Sequence, residues 1–301
     1  MTGFGGLLSR HRRMAFRHPA APLFLLLPIA VIAVLFVSYL SAQHASAIPA
    51  AGTAQVRWLA ACWAAAGLPV VLAFPAAMIA LQVFAGDRSA GKRRDFGITL
   101  LGKGTQTTAY IGVPVLAALS VALLSYAGIQ VAVALWTGVA PLPRAVLFGL
   151  GYTMLGALHA GLLSVFVASL LPGGGAYAVL SSLSALVPGF LSGAFIPIGY
   201  LPDPLARIVL GFPASHAVSL ARQALTWQAA TSVFAGASAD LARYRSLFGV
   251  DLFWGERAIL PLWSLLFPAV TALLFLLLSI PLVLRACRTD RIPRRRKEGS
   301  Q

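Results

Sequence analysis

The chain has 301 residues, of which 59% are hydrophobic and only 10% are charged, against about 25% charged residues in soluble domains. A soluble core of this size could not bury so much apolar surface, so the composition predicts an integral membrane protein. The net charge of +15 would suggest nucleic-acid binding in a soluble chain. Here the basic residues mainly flank apolar stretches, where they set membrane orientation and contact anionic headgroups. We therefore expect no nucleic-acid partner.

The first 19 residues mix apolar and basic side chains, as in FGGLLSRHRRMAFRH. This pattern is typical of an amphipathic helix that lies along the cytoplasmic interface, although an unstructured basic leader would have the same composition. The apolar run that follows ends near Ala-Ser-Ala at 45–47, which imitates a signal peptide with its cleavage site. Because the run has about 20 residues, against roughly 7 to 15 in a signal core, we expect a retained first membrane span.

Six apolar stretches are long enough to cross about 30 Å of hydrocarbon as helices. They are rich in Leu, Ala, Val and Phe and lack the strict alternation of a barrel strand. The sequence therefore predicts an all-α polytopic membrane protein whose transmembrane domain covers residues 20–284. The six predicted spans are Ala20–Ser41, Trp58–Phe84, Ala109–Trp136, Ala145–Leu171, Ala176–Ile196 and Ile259–Leu284.

The distribution of Lys and Arg predicts the orientation of these spans. Four basic residues precede the first span, five lie in the loop after the second, and seven lie in the tail at 285–301. The segments on the opposite side hold the other seven, although one of these segments is long. Since loops rich in Lys and Arg stay in the cytoplasm, we expect both termini to be cytoplasmic. We also expect the protein to lie in the plasma membrane.

Reactive and ion-coupling groups are missing from the predicted spans. All eight acidic residues lie outside them, whereas ion-coupled transporters usually place carboxylates inside the bilayer. His159 lies deep in the fourth span, where it could be functional or could simply tie two helices together. The sequence has no GxSxG, HExxH or Walker A motif and no cluster of acidic metal ligands. We therefore expect no catalytic residue, no bound metal or cofactor, and an energy source on another chain.

The charged stretch GDRSAGKRRDF, at 86–96, interrupts the apolar sequence between the second and third spans. From charge alone it is a positive-inside anchor. Its order of residues resembles the first cytoplasmic loop of ABC type-2 permeases, in particular the daunorubicin-resistance and related bacterial multidrug exporters. That resemblance implies a coupling helix, within a loop at 85–108, that docks into an ATP-binding subunit. The family often has a proline shortly after the Asp-Phe pair, and this sequence has none there. The residues implied in coupling are Asp87, Arg88, Gly91, Lys92, Arg93, Arg94, Asp95 and Phe96.

The second distinctive segment is Leu191–Leu225, LSGAFIPIGYLPDPLARIVLGFPASHAVSLARQAL. Its prolines interrupt helices, yet the pieces between them are too apolar for a solvated loop. The pattern predicts a short re-entrant hairpin, which needs protein around its backbone, inside an external segment at 197–258. The segment also resembles the type-2 permease signature. The residues that carry this resemblance are Phe195, Pro197, Leu201, Pro202, Pro213 and Arg222.

The resemblance implies the ABC type-2 exporter transmembrane fold and the membrane subunit of an ATP-driven efflux transporter. The substrate would be hydrophobic or amphipathic: a drug, an antibiotic, or a lipid-like or glycan-lipid molecule. The implied partners are a separate subunit that binds ATP and magnesium, and a second permease copy or a related permease. Two other classes stay open: an ATP-independent pore or scaffold, and a lipid-acting enzyme, although no reactive group is positioned for the latter. The implied translocation path runs between the fifth and second spans, along small residues that would equally suit tight helix packing: Ser181, Ser184, Pro188 and Ser192.

Overall fold

Our computed structural model describes residues 5–6, 26–27, 29–31, 34–35, 39–48, 52–89, 102–171 and 174–288. Within these ranges the chain forms eleven helices and one small hairpin, which confirms the all-α class. The helices are α1 (Ser41–Ala47), α2 (Thr53–Ser89), α3 (Lys103–Thr137), α4 (Pro143–Leu170), α5 (Gly174–Leu183), α6 (Val187–Leu191), a 3₁₀ helix (Ile198–Tyr200), α7 (Asp203–Leu210), α8 (Pro213–Val233), α9 (Ser238–Leu247) and α10 (Pro261–Arg288). The hairpin pairs β1 (Phe253–Trp254) with β2 (Arg257–Ala258) in antiparallel register.

Four of the described helices, α2, α3, α4 and α10, are long and apolar enough to cross a membrane. They correspond to the second, third, fourth and sixth predicted spans, and they indicate a multi-pass membrane protein. Most of the first predicted span, and nearly all of the N-terminal segment and basic tail, lie outside the described residues. The finer expectations of six spans and a defined sidedness therefore stay predictions.

The four long helices divide into two central and two peripheral members. The most apolar stretch of α2 is 83% buried inside the protein and that of α4 is 61% buried, against 22% for both α3 and α10. Small residues let the central helices approach their neighbours closely. A Cβ on Gly156 of α4 would lie 2.9 Å from Val70 of α2 and 3.1 Å from Ala217 of α8. Helices α2, α4 and α8 therefore form the core of the bundle.

The predicted fifth span is divided into two short helices. Helix α5 ends at Leu183, a turn follows at 184–186, and α6 begins with Pro188 in its first turn. Pro188 has no backbone N–H and suits the first turn of a helix, which fits the start of a new helix after this turn. After α6 the chain turns back, because Gly193 has a φ of +66° and the N–H groups of Ala194 and Phe195 both donate to the Gly189 carbonyl. The prediction of one continuous helix over Ala176–Ile196 is therefore wrong, although the segment remains helical along most of its length.

Helices α7 and α8 meet at a turn that lies among the other helices. Phe212, in this turn, packs against Phe74 of α2 and His159 of α4, with ring centroids 5.9 and 6.2 Å away. From there α8 runs antiparallel to α4, since Ala217 faces Gly156 and Leu225 faces Gly149. The prolines that break this part of the sequence occupy helix starts, with Pro204 in the first turn of α7 and Pro213 in the first turn of α8.

Candidate functional site

The charged loop begins inside a helix. Helix α2 continues past the predicted end of the second span, so Asp87 and Arg88 belong to its last turn. Asp87 is only 1% exposed and accepts a 2.8 Å hydrogen bond from the Tyr110 hydroxyl of α3. Arg88 donates to the Leu171 carbonyl at 2.7 Å and to the Ser169 carbonyl at 3.3 Å, which satisfies carbonyls at the C-terminal end of α4.

These contacts connect the end of α2 to α3 and α4 at the same time. A force applied to the loop after Ser89 would therefore act on three of the four long helices. The other residues implied in coupling, from Gly91 to Phe96, lie outside the described residues. Contact of this loop with an ATP-binding subunit stays a prediction. Because Asp87 is buried, its side chain could contribute to that contact only indirectly.

The second region is centred on Arg222 of α8, whose side chain is 2% exposed. Its guanidinium donates to the Gly193 carbonyl at 2.7 Å and to the Phe248 carbonyl at 3.3 Å. It also lies 3.8 Å from the centre of the Trp63 ring, close enough for a cation–π interaction. Trp63 Nε1 donates to the same Phe248 carbonyl at 2.7 Å. Arg222 therefore holds α2, α8, the chain after α6 and the end of α9 together.

The described partners of Arg222 are carbonyl oxygens and an aromatic ring rather than a carboxylate. Burial lowers the pKa of Arg222 to about 9, so the guanidinium is still protonated at neutral pH. The other residues that carry the signature differ in how deeply they are buried around this centre. Phe195 is fully buried and packs in the same hydrophobic cluster as Trp63 and Phe248. Pro197 and Pro213 are buried, Leu201 is partly exposed and Pro202 is exposed.

A histidine that the sequence did not single out packs beside the Arg222 centre. His44 of α1 is fully buried, and its ring centroid lies 4.1 Å from that of Phe248, which stacks on Tyr244 at 4.5 Å. Its Nδ1 lies 2.8 Å from the Leu40 carbonyl. Since a carbonyl can only accept, Nδ1 carries the proton. Burial lowers the pKa of His44 to about 4, so the ring is neutral at physiological pH. The spacing of Tyr244, on α9, and Phe248, four residues later and directly after the helix, was the available sign of this aromatic cluster.

The residues of the implied translocation path are packed inside the protein. Ser181, Ser184, Pro188 and Ser192 are all buried, and the Ser184 hydroxyl donates to the Ser181 carbonyl at 2.6 Å. One turn before Ser181, the Tyr177 hydroxyl donates to the Met78 carbonyl of α2. The fifth segment is therefore in contact with α2, and side chains fill the seam between them. A translocation path along this seam stays a prediction.

Two histidines link α10 to the core. His159 Nδ1 lies 3.2 Å from the Thr271 hydroxyl oxygen, so this residue connects α4 to α10. His216 of α8 was not identified from the sequence. Its Nε2 donates to the Leu210 carbonyl at 2.9 Å, and its Nδ1 lies 3.1 Å from the Ser264 hydroxyl oxygen of α10. Within the described ranges, no group of three or more His, Cys, Asp or Glu side chains could hold a metal ion.

No protein-family model matches the chain, and no curated protein matches it either.

Proposed function

We propose that this chain is the membrane-spanning permease subunit of an ATP-driven exporter of the ABC type-2 class. It would move a hydrophobic or amphipathic substrate outward while a separate subunit hydrolyses ATP. The observation that carries the proposal is the segment from Leu191 to Leu225. There the proline pattern that resembles the type-2 signature coincides with a helical hairpin, α7 and α8, whose turn lies among the long helices.

The position of the hairpin turn supports a re-entrant segment. Phe212 contacts Phe74 and His159, both near the middle of long apolar helices, so one side of the turn packs against protein, whereas Gly211 of the same turn is exposed. A non-spanning hairpin can enter the hydrocarbon region where protein shields its backbone, and the Phe212 side of the turn has that shielding. In the six-span arrangement that we propose, residues 20–41 form the first crossing, and α5 with α6 forms the fifth.

The end of α2 supports the proposed transmission of force. Asp87 bonds to α3 and Arg88 to the end of α4, so docking of the following loop into an ATP-binding subunit would move these helices as a group. In the proposed cycle, this movement separates α5 and α6 from α2 and opens the seam that contains Ser181 and Ser192. Small hydroxyl and apolar groups line that seam, which suits an amphipathic substrate better than a strongly charged one.

The outward face of the fifth segment supports pairing with a second permease. Each of the helices α5 and α6 carries two large apolar residues about one turn apart that are between 40% and 62% exposed. In the proposed complex this stripe faces the equivalent segment of a second copy or of a related permease. The residues of the stripe are Val179, Leu183, Val187 and Phe190.

The decisive experiment is the capture of an ATP-binding partner. The full chain is tagged, purified from host membranes and tested for a co-purifying subunit with a Walker A motif and for ATP hydrolysis by the captured complex. Substitution of both Arg93→Glu and Asp95→Lys in the loop should abolish capture, whereas Arg257→Glu in the exposed β2 strand should not. Asp87 is left unchanged, because its substitution would disturb the packing against Tyr110.

Two results would contradict this function. If the loop variant keeps its ATP-binding partner, the loop is only a charge anchor. If vesicles that contain this chain alone transport substrate without nucleotide, the protein is an ATP-independent pore.

A further inference from the structure

A groove of about 530 Å³ lies between the first turns of α4 and the C-terminal half of α8. This volume falls in the range of small-molecule sites, about 300–1,000 Å³. The groove shares no residue with the loop region, the Arg222 centre or the fifth-segment seam. The side chains that define it are Arg144, Phe148 and Tyr152 from α4 and Gln223 and Trp227 from α8.

One wall of the groove is a stripe of three side chains along α4. Arg144, Phe148 and Tyr152 recur every four residues, which places them on the same helix face. The guanidinium carbon of Arg144 lies 5.6 Å from the centre of the Phe148 ring, and the Phe148 and Tyr152 rings stack at 6.4 Å. Trp227, which is 56% exposed, forms the facing wall. The groove therefore has a cation at one end and aromatic walls along its length.

The charge of Arg144 is not neutralised by the part of the chain that the structure describes. The described ion pair joins Arg245 to Asp251, and the contact that the structure gives for the Arg144 guanidinium is the Phe148 ring. The side chain is exposed and can offer its planar set of N–H donors to an anion. Arginine binds phosphate and carboxylate groups through two parallel hydrogen bonds.

The position of the stripe along α4 gives the expected depth of each side chain. Helix α4 has 28 residues and is about 42 Å long at 1.5 Å per residue, which matches the bilayer including its headgroups, about 40–45 Å. Arg144, in the first turn, therefore lies at headgroup level. Tyr152 is about 12 Å further along the helix axis and lies at the level of the acyl chains.

We propose that this groove binds an anionic membrane lipid. The headgroup phosphate bonds to Arg144, and one acyl chain lies along Phe148, Tyr152 and Trp227. Each part of the groove lies at the depth of the lipid group that it would bind. Arg144 lies at the level of the phosphate, and the aromatic walls extend to the level of the hydrocarbon. The proposal does not depend on the proposed transport function or on which side of the membrane the groove faces.

Native mass spectrometry of the full chain in detergent tests this site, with phosphatidylglycerol and phosphatidylcholine of identical acyl chains as probes. The wild type should retain phosphatidylglycerol in preference to phosphatidylcholine. Arg144→Gln should lower the affinity for phosphatidylglycerol about tenfold, because a charge-assisted hydrogen bond is worth about 1.5–3 kcal/mol and 1.4 kcal/mol is a factor of ten. Trp227→Ala should weaken the binding of both lipids.

The matched control is Arg257→Gln, which removes an exposed arginine outside the groove and should leave lipid binding unchanged. Inorganic phosphate, added at the concentration of the lipid, should not displace it, because the acyl chain supplies part of the affinity. Thermal unfolding of each variant checks that it is folded. Equal retention of the two lipids by the wild type, equal effects of Arg144→Gln and Arg257→Gln, or displacement by free phosphate would each overturn the proposal.

Discussion

Replacement of Arg222 by methionine tests whether the buried guanidinium stabilises the fold. The substitution keeps an unbranched side chain but removes the bonds to the Gly193 and Phe248 carbonyls and the contact with the Trp63 ring. Two charge-assisted hydrogen bonds are worth about 1.5–3 kcal/mol each, and a desolvated cation–π contact is worth about 2 kcal/mol. These contacts stabilise the fold by about 5–8 kcal/mol in total. The desolvation of the buried cation opposes them and costs several kcal/mol.

Because the Phe248 carbonyl keeps its bond from Trp63 Nε1, the variant leaves mainly the Gly193 carbonyl without its partner. That loss costs about 1–3 kcal/mol. We therefore expect Arg222→Met to lower the free energy of unfolding by about 1–3 kcal/mol.

Thermal unfolding of the purified chain in one detergent, followed by intrinsic fluorescence, measures this change. The melting temperature of Arg222→Met should fall by roughly 2–12 °C, since 1 kcal/mol corresponds to roughly 2–4 °C in domains of 150–250 residues. Arg257→Met removes an exposed arginine from β2 and should change stability by less than about 0.5 kcal/mol. Arg222→Lys should lie between wild type and Met, because a lysine keeps the charge but not the planar fork that reaches two carbonyls. A methionine variant as stable as the wild type would show that the carbonyl contacts only compensate for desolvation.

Two further predictions concern the packing around this centre. A Cβ added in Gly189→Ala would clash with the Phe195 ring, so the substitution should cost about 1–3 kcal/mol. Gly151→Ala on α4, where no atom lies within 4 Å, should be neutral or slightly stabilising in the same thermal assay, and equal effects of the two would contradict the close contact. The free energy of unfolding of the wild type should also fall as the pH decreases from about 6.5 to about 4. In the unfolded chain the His44 imidazole binds a proton near its ordinary pKa, whereas the buried imidazole of the folded chain stays neutral down to about pH 4. The expected loss is at most about 3 kcal/mol, and His44→Phe should reduce this pH dependence; an unchanged profile would show that His44 does not titrate on unfolding.

The sequence predicted those parts of the fold that depend on length and composition alone. Helices α2, α3, α4 and α10 were predicted to within six residues at each end, because a long apolar run has few stable alternatives to a helix. The division of the fifth segment was not predicted, since hydropathy averages across the turn at 184–186. Phe195 packs against Gly189, six positions earlier, but it also belongs to a cluster with the distant residues Trp63 and Phe248, which the local sequence does not indicate.

The candidate site could be predicted only as a set of residues and not as a set of contacts. Arg222 was identified through its place in a pattern of prolines, but its partner Phe248 belongs to a stretch for which no pattern was found. Trp63 and Phe248 are 185 positions apart in the chain and meet through one hydrogen bond, which no local periodicity indicates. Asp87 was expected in a solvent-exposed loop. Its burial could not be predicted, because it depends on contact with Tyr110, a residue of the next helix.

The hydrogen bond from Arg88 to the Leu171 carbonyl has a consequence for protein engineering. Exchange of residues 85–108 with those of a related chain would replace only one half of a contact whose other half is the Leu171 carbonyl after α4. A folded chimera should therefore carry the donor's residues around Ser169 to Leu171 together with its loop. The loop and the helix end that it contacts would then be exchanged as one unit.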